Sequence, residues 1–526
     1  MFDLVIRGGD VIDGSGALRY RADVGVRDER IAAIGNLDPT QAHRVIEAGD
    51  RVVCPGFIDA HTHSDVLLLA NPEHEPKILQ GVTTDLLGLD GLSYAPLSAA
   101  NLQMMRRYLS GLNGDPDIDW SWNSVSEYLA RFDRRVAINV AYLVPHNALR
   151  LETVGFVDRA PTDEELTGMQ QLLAQGMREG AVGFSTGLDY YPCRYAGTEE
   201  LTRICQTVVE YDGVSVWHVR KLDLGLLESI REVIRIAEKT GVKTHFSHYA
   251  VPDSSQRGKS REMLAMVDKA REDGLDVTFD TYPYIAQSTA LIVFLPRWVH
   301  DGGPDAILER LAQPGTREKI CADLRALSVD WSQRILTAVP SEKNGVYVGK
   351  SLLEASGMAG KDVIEFFCDL LLEERLAVGF LTPLGIEEDV RRIMQHPGHI
   401  AGSDGILVGD KPNPRAWGTF ARYLGVYGRE LGILSLEEVI RHMTAASARR
   451  FGLDDRGLVR EGLAADLVVF NPQTVIDNAT FDEPKKYPTG IDYVVVNGAV
   501  AVAEGKSTGV LNGRSLLRKQ SGKPAL

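Results

Sequence analysis

The sequence predicts an α/β protein: a TIM-type (β/α)8 barrel with a small β-sandwich domain built from both chain ends. Three observations carry that expectation. Strand-like apolar runs alternate with amphipathic helical stretches through the middle of the chain, and eight of these runs end near His61, Asp90, Pro145, Thr186, His218, His248, Tyr282 and Asp404. Residues suited to chemistry stand at several of those ends, and side chains from separate strand ends converge where a parallel sheet closes into a barrel. Short strands punctuated by glycine occur at the two termini, where no neighbouring helix could cover them.

At the N-terminus the strand-like pieces are residues 4–7, 11–12, 23–26 and 31–34, and the C-terminal part offers 466–470, 493–498 and 500–502. The expected organisation is therefore a β-sandwich from residues 1–56 and 454–526, with the barrel spanning 57–453. Within the barrel, Leu226, Leu227, Ile230, Val233, Ile234 and Ala237 recur at helical spacing, and Thr162 with Glu165 fits a capping box. The stretch 285–375 is too long for one strand-to-helix connection. It contains Pro296-Arg297-Trp298 and Gly302-Gly303-Pro304 and is expected to be an insertion covering the barrel's C-terminal face. After the barrel, Ser435 and Glu438 cap a helix that runs towards Arg450 and stops by Gly452.

The chain has 526 residues and a formal net charge of −15 without a lysine or arginine run, which excludes a nucleic-acid surface, because phosphate binding needs clustered positive charge. A small-molecule substrate is the expected partner. The N-terminus reads Met1-Phe2-Asp3-Leu4-Val5-Ile6-Arg7, and no stretch approaches the ~20 apolar residues of a membrane span, so no membrane association and a cytoplasmic location are expected. Cys54, Cys193, Cys205, Cys321 and Cys368 form no CxxC pair and read as buried thiols. No sequence signal sets an oligomeric state.

His61-Thr62-His63 follows the apolar run from Val52 to Ala60. In a strand the side chains at i and i+2 leave the same face, so both imidazoles could reach one ion. A chance pair on a surface loop is the competing explanation. The recurrence of His218, His248 and Asp404 behind later strands favours a metal site.

With these residues in view, the chain resembles the amidohydrolase superfamily and, within it, the D-aminoacylase (N-acyl-D-amino-acid deacylase) family. The matching stretches run collinearly: Pro55-Gly56-Phe57-Ile58-Asp59-Ala60-His61-Thr62-His63-Ser64-Asp65, Ser185-Thr186-Gly187-Leu188, Asp280-Thr281-Tyr282-Pro283-Tyr284, Gly402-Ser403-Asp404-Gly405, Pro414-Arg415-Ala416-Trp417-Gly418-Thr419-Phe420 and Ala465-Asp466-Leu467-Val468-Val469-Phe470. The resemblance implies a metal-dependent amide hydrolase acting on N-acyl-D-amino acids, with one or two divalent ions, zinc in the family. It implies that His61, His63, His218 and His248 bind metal, and that Asp404 is both ligand and proton shuttle. Tyr190, Tyr282, Ser288 and Arg415 fall where the family holds the substrate.

Two positions depart from the family. A bridging cysteine normally stands where this chain reads Gly88-Leu89-Asp90-Gly91. Asp90 is then either an oxygen ligand able to bridge two ions or a turn aspartate beside glycine. The family also has a lysine where this chain has Ala250, which leaves Lys221 or Arg194 to work with Arg415 on a carboxylate. His248, Tyr282 and His146 are candidate oxyanion donors. His43, His74, His300, His396, His399 and His442 are expected to be structural or on the surface, and His245 to pack between barrel and helices. Two alternatives stay open: a cyclic-amide hydrolase of the hydantoinase or dihydroorotase kind, and a barrel relative without catalysis.

Overall fold

The computed structural model describes residues 1–518. Eight parallel strands follow one another in sequence order around a barrel: Phe57–Asp59, Val82–Leu87, Asn139–Pro145, Gly183–Gly187, Val214–His218, Lys243–Phe246, Val277–Thr281 and His399–Ala401. The first and eighth strands close it, with the Ala60 amide donating to the Ala401 carbonyl at 3.2 Å and a bridge pairing Thr62 with Gly405. Ile58, Leu86, Ala141, Leu143, Val214, Val216 and Ile400 form a packed apolar cluster with Ala448 and Phe451, so the barrel is filled and its chemistry is confined to one mouth.

The helices follow the spacing seen in the sequence. Leu226–Thr240 buries Leu226, Ile230, Val233 and Ala237 against the barrel. The Thr162–Glu165 capping box has both of its hydrogen bonds, and the Ser435 hydroxyl accepts from the Glu438 amide. These bonds satisfy amides that a helix start leaves unpaired.

The apolar run before His61 differs from expectation, because it serves two sheets. Val52–Pro55 joins the terminal sheet, Phe57–Asp59 opens the barrel, and Gly56 makes the crossing. A side-chain carbon there would lie 2.2 Å from Thr83 Oγ1, so only glycine passes.

The terminal strands form one nine-stranded sheet from both chain ends, joined where Leu467–Phe470 runs antiparallel to Val52–Pro55. It has a core of its own, including Leu4, Ile6, Val24, Val26, Val53, Leu467 and Val469. One of its strands, Ala42–Glu47, has no counterpart in the sequence reading, since most of its residues are exposed or half-exposed and give little apolar alternation.

Between the seventh and eighth barrel strands lies the long insertion. Its three short strands, Gln287–Ala290, Ile335–Ala338 and Gly379–Thr382, pair antiparallel, and its helices include Pro304–Ala312, Pro314–Arg325, Leu352–Met358 and Val363–Glu373. Among the described residues no helix is long and apolar enough to cross a membrane.

Candidate active site and metal centre

Four histidines and two aspartates meet at the barrel mouth. Asp90 Oδ2 lies at their centre, 3.5 Å from His61 Nε2, 3.7 Å from His63 Nε2, 3.3 Å from His218 Nδ1 and 3.5 Å from His248 Nε2. Asp404 Oδ1 stands 3.2 Å from His63 Nε2 and 3.6 Å from His61 Nε2. Three ligand trios result, His61 with His248 and Asp404, His61 with His63 and Asp90, and Asp90 with His218 and His248, and Asp90 belongs to two of them.

The donor set fits a divalent cation. His61 Nε2 and Asp90 Oδ1 are buried without a hydrogen-bond partner, and orphaned lone pairs of this kind are costly unless an ion uses them. Burial disfavours charge on His61, yet Asp280, Asp90 and Asp404 outweigh it and hold the imidazole well above its ordinary range. Burial likewise pushes the Asp90 carboxyl up, but His61, His218 and His248 hold it well below the usual carboxylate range. A cation would take the place of those shared protons, carboxylate and imidazole being suitable zinc ligands.

The local backbone is bent to aim these groups. Asp90, His248 and Asp404 have φ of 53°, 30° and 47°, in the left-handed region that side chains other than glycine's adopt at a cost. Asp404 is pinned by its amide donating to the His61 carbonyl at 2.7 Å. Beside it, Asp59 accepts from the Ser403 amide at 2.9 Å and from Lys77 Nζ at 2.6 Å, and all three side chains are buried. The loop bearing Asp404 is thereby clamped to the strand bearing His61.

Two outer carboxylates orient the imidazoles. Asp280 Oδ2 lies 3.2 Å from His61 Nδ1, and Asp280 Oδ1 accepts from the His248 amide at 2.8 Å. Asp189 Oδ2 lies 3.2 Å from His218 Nε2. A carboxylate at one ring nitrogen keeps the proton there and turns the other lone pair to the ion. Neither residue stands out as a site residue in the sequence. The signal was present for Asp280, an acidic residue inside an apolar strand at Phe279-Asp280-Thr281.

His245 corrects an expectation, since it faces the barrel interior, with Nε2 3.0 Å from Asp280 Oδ2 and Nδ1 2.7 Å from Thr278 Oγ1. The strand ends at Phe246, and the positive φ of His248 breaks the two-residue alternation, so His245 and His248 reach the same region.

Tyr190, Tyr282, Ser288, Asp90, His218, His248 and Asp404 all line one cavity of about 310 Å³. Arg415 is instead fully buried behind it, with Nη2 2.9 Å from Asp404 Oδ2 and its guanidinium carbon 4.4 Å from the Tyr282 ring centre. Burial alone would raise the Asp404 carboxyl, but Arg415, His61 and His63 hold it well below the usual range. Of the two cations considered for the missing lysine, Arg194 is paired with Asp223 at 2.5 Å, whereas Lys221 and Ala250 line the cavity.

His146 stands apart from the cluster, between Thr186 Oγ1 at 2.8 Å and Glu200 Oε1 at 2.9 Å, and serves the core. His74, His300, His396, His399 and His442 are likewise buried in contacts of their own, such as His74 with Asp85 and His399 with His442.

Residues 44–502 match the model of the amidohydrolase family. The chain belongs to that family. It is 36% identical over 518 residues, 98% of each chain, to a D-aminoacylase of Alcaligenes xylosoxydans xylosoxydans. An N-acyl-D-glutamate deacylase of the same organism is 38% identical over 94% of this chain and 93% of its own. The fold superposes with a TM-score of 0.82 and 36% identity on the N-acyl-D-glutamate deacylase of Bordetella bronchiseptica complexed with zinc and a phosphonate mimic of the tetrahedral intermediate, covering 98% of this chain and 99% of that one.

Proposed function

We propose that this chain is a zinc-dependent hydrolase of N-acyl-D-amino acids, releasing a carboxylate and a free D-amino acid. The observation that carries it is the set of ligand trios joined through Asp90, of which Asp90, His218, His248 and Asp404 line a cavity of about 310 Å³. Relatives that match this chain from end to end are named as deacylases of this kind. Lys77 is committed to Asp59 and Ser403, so it is no bridging ligand of the hydantoinase sort.

His61, His63, Asp90, His218 and His248 would hold one or two ions, with Asp404 beside them. A zinc ion held by these residues would supply Lewis acidity for a water and for the amide carbonyl. Asp404 accepts the proton of the attacking water and passes it to the amide nitrogen as the C–N bond breaks, one carboxylate serving as base and then acid. Arg415 occupies Oδ2 of that carboxylate, which leaves Oδ1 turned to the cluster. The Tyr282 hydroxyl is the donor for the oxyanion that forms on the carbonyl. Lys221 supplies the cation for the substrate carboxylate that Ala250 lacks.

Chelation and add-back test this reading. Metal-stripped protein is expected to show no turnover of an N-acetyl-D-amino acid, and stoichiometric zinc should restore it. Full turnover by the stripped protein would end the metal-dependent assignment.

A further inference from the structure

We propose that this active site selects substrates bearing a second carboxylate, and that Arg334 of the insertion reads it. The inference rests on the deacylase reading and narrows it to a substrate class.

The cavity wall holds two cations, Lys221 and Arg334. Its acidic residues are already engaged. Asp90 and Asp404 belong to the metal cluster, and Asp189 binds His218 and accepts from the Leu222 amide at 3.1 Å. Asp253 accepts from the Ser255 amide at 2.8 Å and its hydroxyl at 2.5 Å, closing its own turn. Among the described residues, neither Lys221 nor Arg334 has a carboxylate within ion-pair distance. Arg334 Nη1 donates to the Asp330 carbonyl at 3.1 Å, and its Nε is buried with no partner. A half-buried guanidinium left in this state carries a desolvation cost that an anionic ligand group offsets.

The two cations serve different parts of the cavity. Lys221 acts electrostatically on His248 and Asp189, beside the metal ligands. Arg334 interacts with Asp253 and Asp330 and sits over the Phe294 ring, its guanidinium carbon 5.8 Å from the ring centre. One carboxylate, the one next to the scissile amide, is needed by any N-acyl amino acid and falls to Lys221. Arg334 remains for another, and its planar fork suits a carboxylate better than a lysine ammonium does. That second carboxylate could sit on the amino-acid side chain or at the end of a dicarboxylic acyl group. Both present the same chemistry to Arg334.

The test compares kcat/KM of the zinc-loaded wild type, Arg334→Gln and Arg334→Lys on two pairs of substrates. One pair is N-acetyl-D-glutamate and N-acetyl-D-glutamine; the other is N-succinyl-D-alanine and N-butanoyl-D-alanine. The wild type should favour the charged member of at least one pair by roughly tenfold to a hundredfold, the scale of one charged hydrogen-bonded contact. Arg334→Gln should erase that preference, lowering kcat/KM for the charged member far more than for the neutral one, and Arg334→Lys should retain part of it. The pair that responds identifies where the second carboxylate sits. No preference in either pair, or one that survives Arg334→Gln, would overturn the inference. Absence of turnover on all four compounds would overturn the deacylase reading beneath it.

Discussion

Asp404→Asn is expected to cut turnover by about 10² to 10⁴-fold while most of the zinc stays bound. The side chain keeps its shape, so the histidines and Asp90 still hold the ion. What is lost is a group that can take a proton and return it. Asparagine also removes the charge that faces Arg415 at 2.9 Å, leaving a fully buried guanidinium unpaired, so a fall in stability should accompany the loss. Metal content per chain and turnover measured on the same preparation separate the two effects. Near wild-type turnover would remove Asp404 from the mechanism.

Asp90→Ala should lose metal and activity together. Its Oδ2 stands within 3.7 Å of four imidazole nitrogens, and Asp90 is shared by two of the three ligand trios. Without it the remaining ligands around that point are neutral imidazoles, which hold a dication less firmly. Losing a group that only orients a metal ligand typically costs about tenfold to a hundredfold in metal affinity, and losing a shared ligand itself should cost on the order of a hundredfold or more. Asp90→Cys should retain zinc better than alanine does, because thiolate is a good zinc ligand. Full metal and full activity in Asp90→Ala would show that the carboxylate only shapes the turn.

Much of this organisation was legible because the residues concerned obey local rules. The strand ends carrying His61, Asp90, His218, His248 and Asp404 follow from apolar runs that stop at a polar residue, and the caps at Thr162 and Ser435 follow from spacing. Where local rules stop, so did the reading. The split at Gly56 depends on Thr83 approaching from the second barrel strand, a contact that no window of sequence contains. His245 was turned outward by a strict two-residue alternation that the left-handed backbone at His248 interrupts. Asp280 and Asp189 act through other residues, and their value appears only once His61 and His218 are in place. The family likeness places Arg415 among the substrate contacts, whereas its position behind Asp404 depends on how the loop after the eighth strand packs on Tyr282.

The most direct test of the account is the stereochemistry of hydrolysis by the zinc-loaded protein on matched N-acetyl-D- and N-acetyl-L-amino acids, with a hydantoin alongside. Free D-amino acid should be released, the L series should be turned over at least about tenfold more slowly, about 1.4 kcal/mol in transition-state binding, and the hydantoin should be left intact. Equal rates on both enantiomers, or ring opening of the hydantoin without deacylation, would contradict it.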